Sequence, residues 1–157
     1  MTIKNAFTHD EWQRVGSAPF LVAMYVVASS LSGPIGIVRE MLAAEKAVTR
    51  EAAQPDGLPL VKEIEADLVA GTLARDLGVI DGAAEAQARV LRDLDRAVTL
   101  VDTKASGVAS AFRSWLYSVA GQVARAAREG EHLGGKRVSA DERVALQQIA
   151  VLLGVSR

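Results

Sequence analysis

The sequence predicts an all-α protein, a single-domain bundle of about seven helices, and three observations predict it. Apolar residues recur three and four positions apart along most of the chain, and no run alternates β-branched with polar residues as a half-buried strand would. Capping boxes stand at Thr8 with Glu11 and at Ser139 with Glu142, where the hydroxyl and the carboxylate accept from N–H groups that a helix start leaves free. Half of the residues are hydrophobic, yet only 4% are aromatic and alanine is abundant; alanine has the highest helix propensity and lets helices approach closely.

Thr8 opens a first helix over 8–16. Pro19 suits the first turn of a second, over about 19–31. Phe20, Leu21, Met24, Val26 and Val27 occupy more than one of its faces, which predicts the most buried element of the fold. "LSGPIG" interrupts it. A third helix runs from about 34 or 35 to 53, with Val38, Met41, Leu42, Glu45, Val48 and Ala52 on one face. Residues 54–59, "QPDGLP", hold two prolines and a glycine and read as a flexible linker. A fourth helix, about 60–76, sets Val61, Ile64, Leu68, Leu73 and Leu77 on a stripe and closes at Gly78.

A fifth helix, about 82–104, turns Leu91, Leu94, Val98 and Val101 inward and Arg89, Arg92, Asp93, Asp95 and Arg96 toward water. Ser106-Gly107 marks a break or kink before a sixth, about 107–129, carrying Val108, Phe112, Trp115, Leu116, Val119 and Val123. The apolar spacing across both also fits a coiled coil, but Ala105 within the series and Gly107 beside it favour a packed hairpin or a kinked helix. A last helix, about 140–153, starts at Ser139 and ends at Gly154.

Composition narrows the function. The net charge is −1, and the loose basic group Arg125, Arg128, Lys136 and Arg137 is interleaved with Glu129, Glu131, Asp141 and Glu142, so no nucleic acid partner is expected. The absence of cysteine excludes disulfides, thiolate catalysis and Cys-ligated metals, and fits a cytoplasmic protein. The apolar run at 18–31 falls short of the roughly 20 residues that a transmembrane helix needs. The mixed charges of "THDEWQR" before it argue against a secretory signal.

The stretch "AAREGEHLGGKRVSADER" at 126–143 invites a phosphate-loop or metal reading. In "GGKRVS" the lysine precedes arginine rather than Ser or Thr, and no strand leads into it. His132 has no second histidine at ligand spacing. Glycines reverse the chain and Ser139 caps the next helix, so the stretch reads as a turn. Ser29, Ser30 and Ser32 have no His or Lys at nucleophile spacing. Trp12, Trp115, Tyr25 and Tyr117 read as core or rim anchors. Glu45 is the acid of most interest: buried on its apolar stripe it could act as acid, base or ligand, whereas at a wet stripe edge, or paired with Arg39 or Arg50, it is an ordinary surface carboxylate.

"ASSLSGPIGIVREMLA" and "LGGKRVSADERVALQQIAVLLG" are each a glycine loop followed by a helix, with Gly33 seven residues before Glu40 and Gly135 seven before Glu142. The pattern resembles the loop-plus-helix unit of TerB-like (tellurite-resistance) helical domains and reads as a degenerate two-fold repeat. The resemblance implies a helical fold. It does not extend to that family's acidic metal cluster, because Ser30, Leu31 and Ser32 stand where an acid would precede the glycine. The expected function is that of a non-enzymatic accessory or scaffold protein, without cofactor, acting through a protein partner or self-association. The alternative is a metal- or small-ligand-binding protein using Glu40, Glu45 and Glu142 in an interhelical pocket.

Overall fold

A helical stretch that is apolar on nearly every side has to be surrounded, and residues 18–28 of α1, His9–Ser29, form that stretch. In the computed structural model α1 packs against α2 (Pro34–Ala53), α4 (Ala83–Lys104), α5 (Ser106–Glu129) and α6 (Ala140–Leu153), while α3 (Pro59–Ala70) lies on α2. The structure describes residues 2–29, 34–73, 83–129 and 140–155, with side chains at 2–29, 41–73, 87–126 and 142–155. Among them are these six α-helices, a 3-10 helix at Ile3–Ala6 and no strand. The protein is all-α.

Six helices rather than seven follow from Pro19, which lies inside α1 instead of starting a new helix. The ring removes the N–H that would bond the Val15 carbonyl, at a cost of about 3 kcal/mol. Against this, Val15, Ala18, Phe20, Leu21, Val22, Ala23 and Val26 are all buried, and each larger side chain among them contributes roughly 1.5–3 kcal/mol. Burial on both sides of the proline therefore outweighs the local break. Met24 and Val27 are only half-buried, so the fully enclosed part of α1 is centred on Val22. Its start is the capping box read from the sequence: Thr8 N–H donates to Glu11 Oε1 at 2.8 Å, and Glu11 N–H to Thr8 Oγ1 at 3.2 Å.

The buried face of α2 is not the stripe of large side chains. Ala44, Ala47 and Val48 are buried, Met41 and Glu45 are half-buried, and Leu42 is 48% exposed. Small residues let α2 close onto α1 and α5, which turns Leu42 outward. Residues 54–58, expected as a flexible linker, form a hydrogen-bonded turn. Gly57 N–H donates to the Gln54 carbonyl, Leu58 N–H to Glu51 Oε1 at 2.9 Å, and Lys62 Nζ to the Pro55 carbonyl.

α3 ends at Gly71, seven residues before the Gly78 expected from sequence, which lies outside the described residues. Gly71 adopts φ +78°, its N–H donates to the Leu68 carbonyl, and Thr72 N–H donates to the Asp67 carbonyl at 2.9 Å. These are the two bonds of a Schellman closure. The chain then turns Leu73 onto Gly16 of α1, where a Cβ would stand 2.7 Å from Leu73 Cδ1. Leu73 is thus buried as the sequence suggests, but beyond the helix rather than on it.

α3 also clasps the N-terminus. Glu63 accepts from the N–H groups of Ile3 and Lys4, both at 3.1 Å, and so caps the 3-10 helix from sixty residues away. One turn on, Asp67 accepts from Trp12 Nε1 at 2.8 Å and pairs with Lys4 Nζ at 2.6 Å. The Lys4 ammonium holds the Asp67 carboxyl below its ordinary value, with Trp12 assisting and partial desolvation opposing. A carboxylate whose folded pKa is lowered contributes stability above its unfolded value, about 3.9, and loses that contribution as pH falls through the folded one. We expect Asp67→Asn to lower neutral-pH stability by about 1–2 kcal/mol, after discounting for the solvent this pair still meets. The variant should also flatten the loss of stability on acidification; denaturant melts across the acid range would exclude this role if the two proteins kept parallel profiles.

α4 and α5 meet at Ala105, the single non-helical residue between them, one position before the expected break. The Ala105 N–H still donates to the Val101 carbonyl and the Val108 N–H donates to the Ala105 carbonyl, so two backbone bonds hold the bend. Across the bend Arg113 Nε donates to Asp102 Oδ1 at 3.0 Å, and its second nitrogen bonds Oδ2, a forked pair that holds the corner. Inside it, Leu94, Val98 and Val101 face Phe112, Leu116 and Val119 in one core, with Leu91 and Val108 at its margin. α6 closes at Gly154, φ +67°, with the same Schellman pair of bonds as α3.

Candidate functional site

Of the three acids singled out from sequence, the structure describes the side chains of two, Glu45 and Glu142. Glu45 is half-buried at the margin of α2, where its carbonyl accepts from Thr49 Oγ1. Glu142 is 6% exposed in the first turn of α6, a position where the helix dipole favours a negative charge. The Glu40 side chain lies outside the described residues. Among the described residues no three His, Cys, Asp or Glu side chains gather closely enough to hold a metal, so Glu45 and Glu142 do not form such a group. The glycine loops at 30–33 and 130–139, with His132 and Ser139, lie outside the described residues.

Two surfaces have a geometry that can recognise something. The first is the outward side of α6 with the adjoining flank of α5. A cleft of about 420 Å³ lies there, lined by Tyr117, Leu146, Gln147, Ala150, Val151 and Val155, with Arg143 at one end. From Val144 to Val155 the chain carries no charged residue, yet Val144 is 53% and Val151 76% exposed. The helix is held in place from behind: Tyr25, buried in α1, donates its hydroxyl to Gln148 Oε1, and burial pushes the Tyr25 phenol above its ordinary pKa. Arg113 reaches the end of α6 as well, donating to the Leu152 carbonyl at 3.3 Å. A firmly anchored helix therefore presents to solvent a face whose one charge, Arg143, stands at its end.

The second surface lies between α1 and α4. A cleft of about 420 Å³ is rimmed by Arg14, Arg89, Arg92 and Arg96, with Asp93 as its acid and the buried side chains of Leu21 and Val90 as its floor. All four arginines are exposed. Sequence reading assigned Arg89, Arg92 and Arg96 to a solvated face. Their spacing of three and four residues already places them on one side of a helix. Arg14 joins them only through the packing of α1 on α4, which no local pattern reveals.

No described helix is long and apolar enough to cross a membrane. No protein-family model matches the chain, and no similar curated protein or solved structure is found for it.

Proposed function

We propose that the protein is a non-enzymatic helical module of the cytoplasm that works through protein contacts, and that a second copy of the chain meets it at the outward face of α6. The observation that carries this reading is the run from Val144 to Val155, which is free of charge although valines in it stand in solvent. A chain in which 24% of residues are charged leaves one surface helix without any over that run. The centres of protein interfaces are depleted of charge and enriched in tyrosine and arginine, as Tyr117 and Arg143 are placed here. A face that meets its own copy across a two-fold axis must be complementary to itself, and a face whose charge is confined to Arg143 at one end brings few like charges into opposition. The lack of cysteine supports the cytoplasmic setting.

Light scattering on the size-fractionated protein, from low to high micromolar concentration, tests the reading. The mass should rise toward that of a dimer, and Val151→Arg should return it to that of the monomer. Val151 is 76% exposed, so the substitution leaves the monomer's stability nearly unchanged, within about 0.5 kcal/mol. A monomer at every concentration, or a dimer indifferent to Val151→Arg, would remove the α6 face from the function.

A further inference from the structure

The α1–α4 cleft concentrates positive charge that no ion pair among the described residues offsets. Among the described residues three ion pairs form, Lys4–Asp67, Lys104–Glu11 and Arg113–Asp102, and none includes an arginine of this cleft. Four like charges around one depression repel one another, and Asp93 offsets only one of them. Nor does composition enforce the cluster, since the chain as a whole has a net charge of −1.

We propose that this cleft binds a small anion carrying two phosphoryl groups, either inorganic pyrophosphate or the diphosphate of a nucleotide. Three features select that class. Guanidinium is planar, permanently charged and forks onto phosphoryl oxygens, which suits it to phosphate better than a lysine would. Four arginines less one aspartate leave a lining charge of +3, and two phosphoryl groups at about −1.5 each balance it, whereas a single carboxylate does not. The volume, about 420 Å³, lies in the range of small-molecule sites, roughly 300–1,000 Å³. The apolar floor of Leu21 and Val90 gives an organic portion something to rest on. This inference is independent of self-association, because α6 does not line the cleft.

Isothermal titration of the full chain with pyrophosphate, ADP and orthophosphate, at low and at physiological salt, tests it. Pyrophosphate and ADP should bind in the micromolar range and orthophosphate at least tenfold more weakly. Equal affinities for the first two identify the inorganic anion as the feature recognised; tighter ADP binding adds the Leu21/Val90 floor. Arg92→Gln with Arg96→Gln should weaken both at least tenfold. Arg92→Lys with Arg96→Lys, which keeps the charge and removes the forks, should fall between. Arg125→Gln, an exposed position outside this cleft, should change nothing. A melting curve confirms that each variant is folded, and Arg14→Gln on the facing helix replaces any that is not. The proposal is overturned by binding weaker than millimolar, by equal binding in the double glutamine variant, or by tighter binding of a single-stranded oligonucleotide than of either diphosphate.

Discussion

Val22→Asp should be the most destabilising of the point substitutions in α1. Val22 is fully buried in α1, the helix that four others enclose. Aspartate at that position must either stay ionised without a partner or take up a proton, and an uncompensated buried charge costs about 3–5 kcal/mol. Domains of this kind have roughly 5–15 kcal/mol in total, so the substitution removes a large share of the stability. At about 2–4 °C per kcal/mol, the melting temperature should fall by roughly 10 °C or more. Two controls separate charge from volume and position. Val22→Ala removes two methyl groups and should cost about 1–2.5 kcal/mol. Val151→Asp places the same charge on a residue 76% exposed and should stay within about 0.5 kcal/mol of the parent. Thermal melts of the three would show α1 not to be central if Val22→Asp and Val151→Asp melted together.

The helices were legible because their spacing is a local property. Periodicity located α2, α4, α5 and α6 to within a few residues, and the Thr8 box and the Gly154 closure are where the sequence put them. What local reading missed depends on partners distant in sequence. Pro19 is a start signal in isolation and an interior residue once burial on both sides outweighs its cost. Local spacing carries α3 through Gly71 to Gly78, whereas the helix ends at Gly71. The choice between them follows from the seating of Leu73 against Gly16, which belongs to another helix. The 3-10 helix at the N-terminus lacks a cap of its own, and Glu63 supplies one from α3. Hydrophobic size also misled in part, since Leu42 faces water while Ala44 and Ala47 are buried beside Val48, which the stripe did place inward. The candidate sites divide in the same way. The three arginines of α4 and the uncharged run of α6 are visible in the sequence. Arg14 opposite the former and Tyr117 beside the latter are visible only in the fold.

Gly57→Ala should be the most damaging of the small substitutions, and comparison with other glycines shows why. At Gly71, with φ +78°, an added Cβ meets nothing within 4 Å, so alanine there pays only the left-handed backbone penalty, about 1 kcal/mol. At Gly16 the Cβ would stand 2.7 Å from Leu73 Cδ1. That atom ends a flexible side chain, which can turn aside for roughly 1–3 kcal/mol of overpacking. At Gly57 the Cβ would stand 2.1 Å from the Glu51 carbonyl oxygen and 3.1 Å from that of Gln54. Both are backbone atoms, and both carbonyls accept the bonds that build this turn, from Gln54 N–H and Gly57 N–H. Relief therefore requires the turn to open, which breaks those bonds and the Glu51 cap on Leu58 N–H and shifts α3 on α2. Two or three lost hydrogen bonds at about 1 kcal/mol each, added to the displaced packing, give an expected loss of about 3–5 kcal/mol. Denaturant unfolding of Gly57→Ala, Gly16→Ala and Gly71→Ala measures the order directly. A Gly57 variant no less stable than the Gly71 variant would mean that residues 54–58 do not hold this turn in solution.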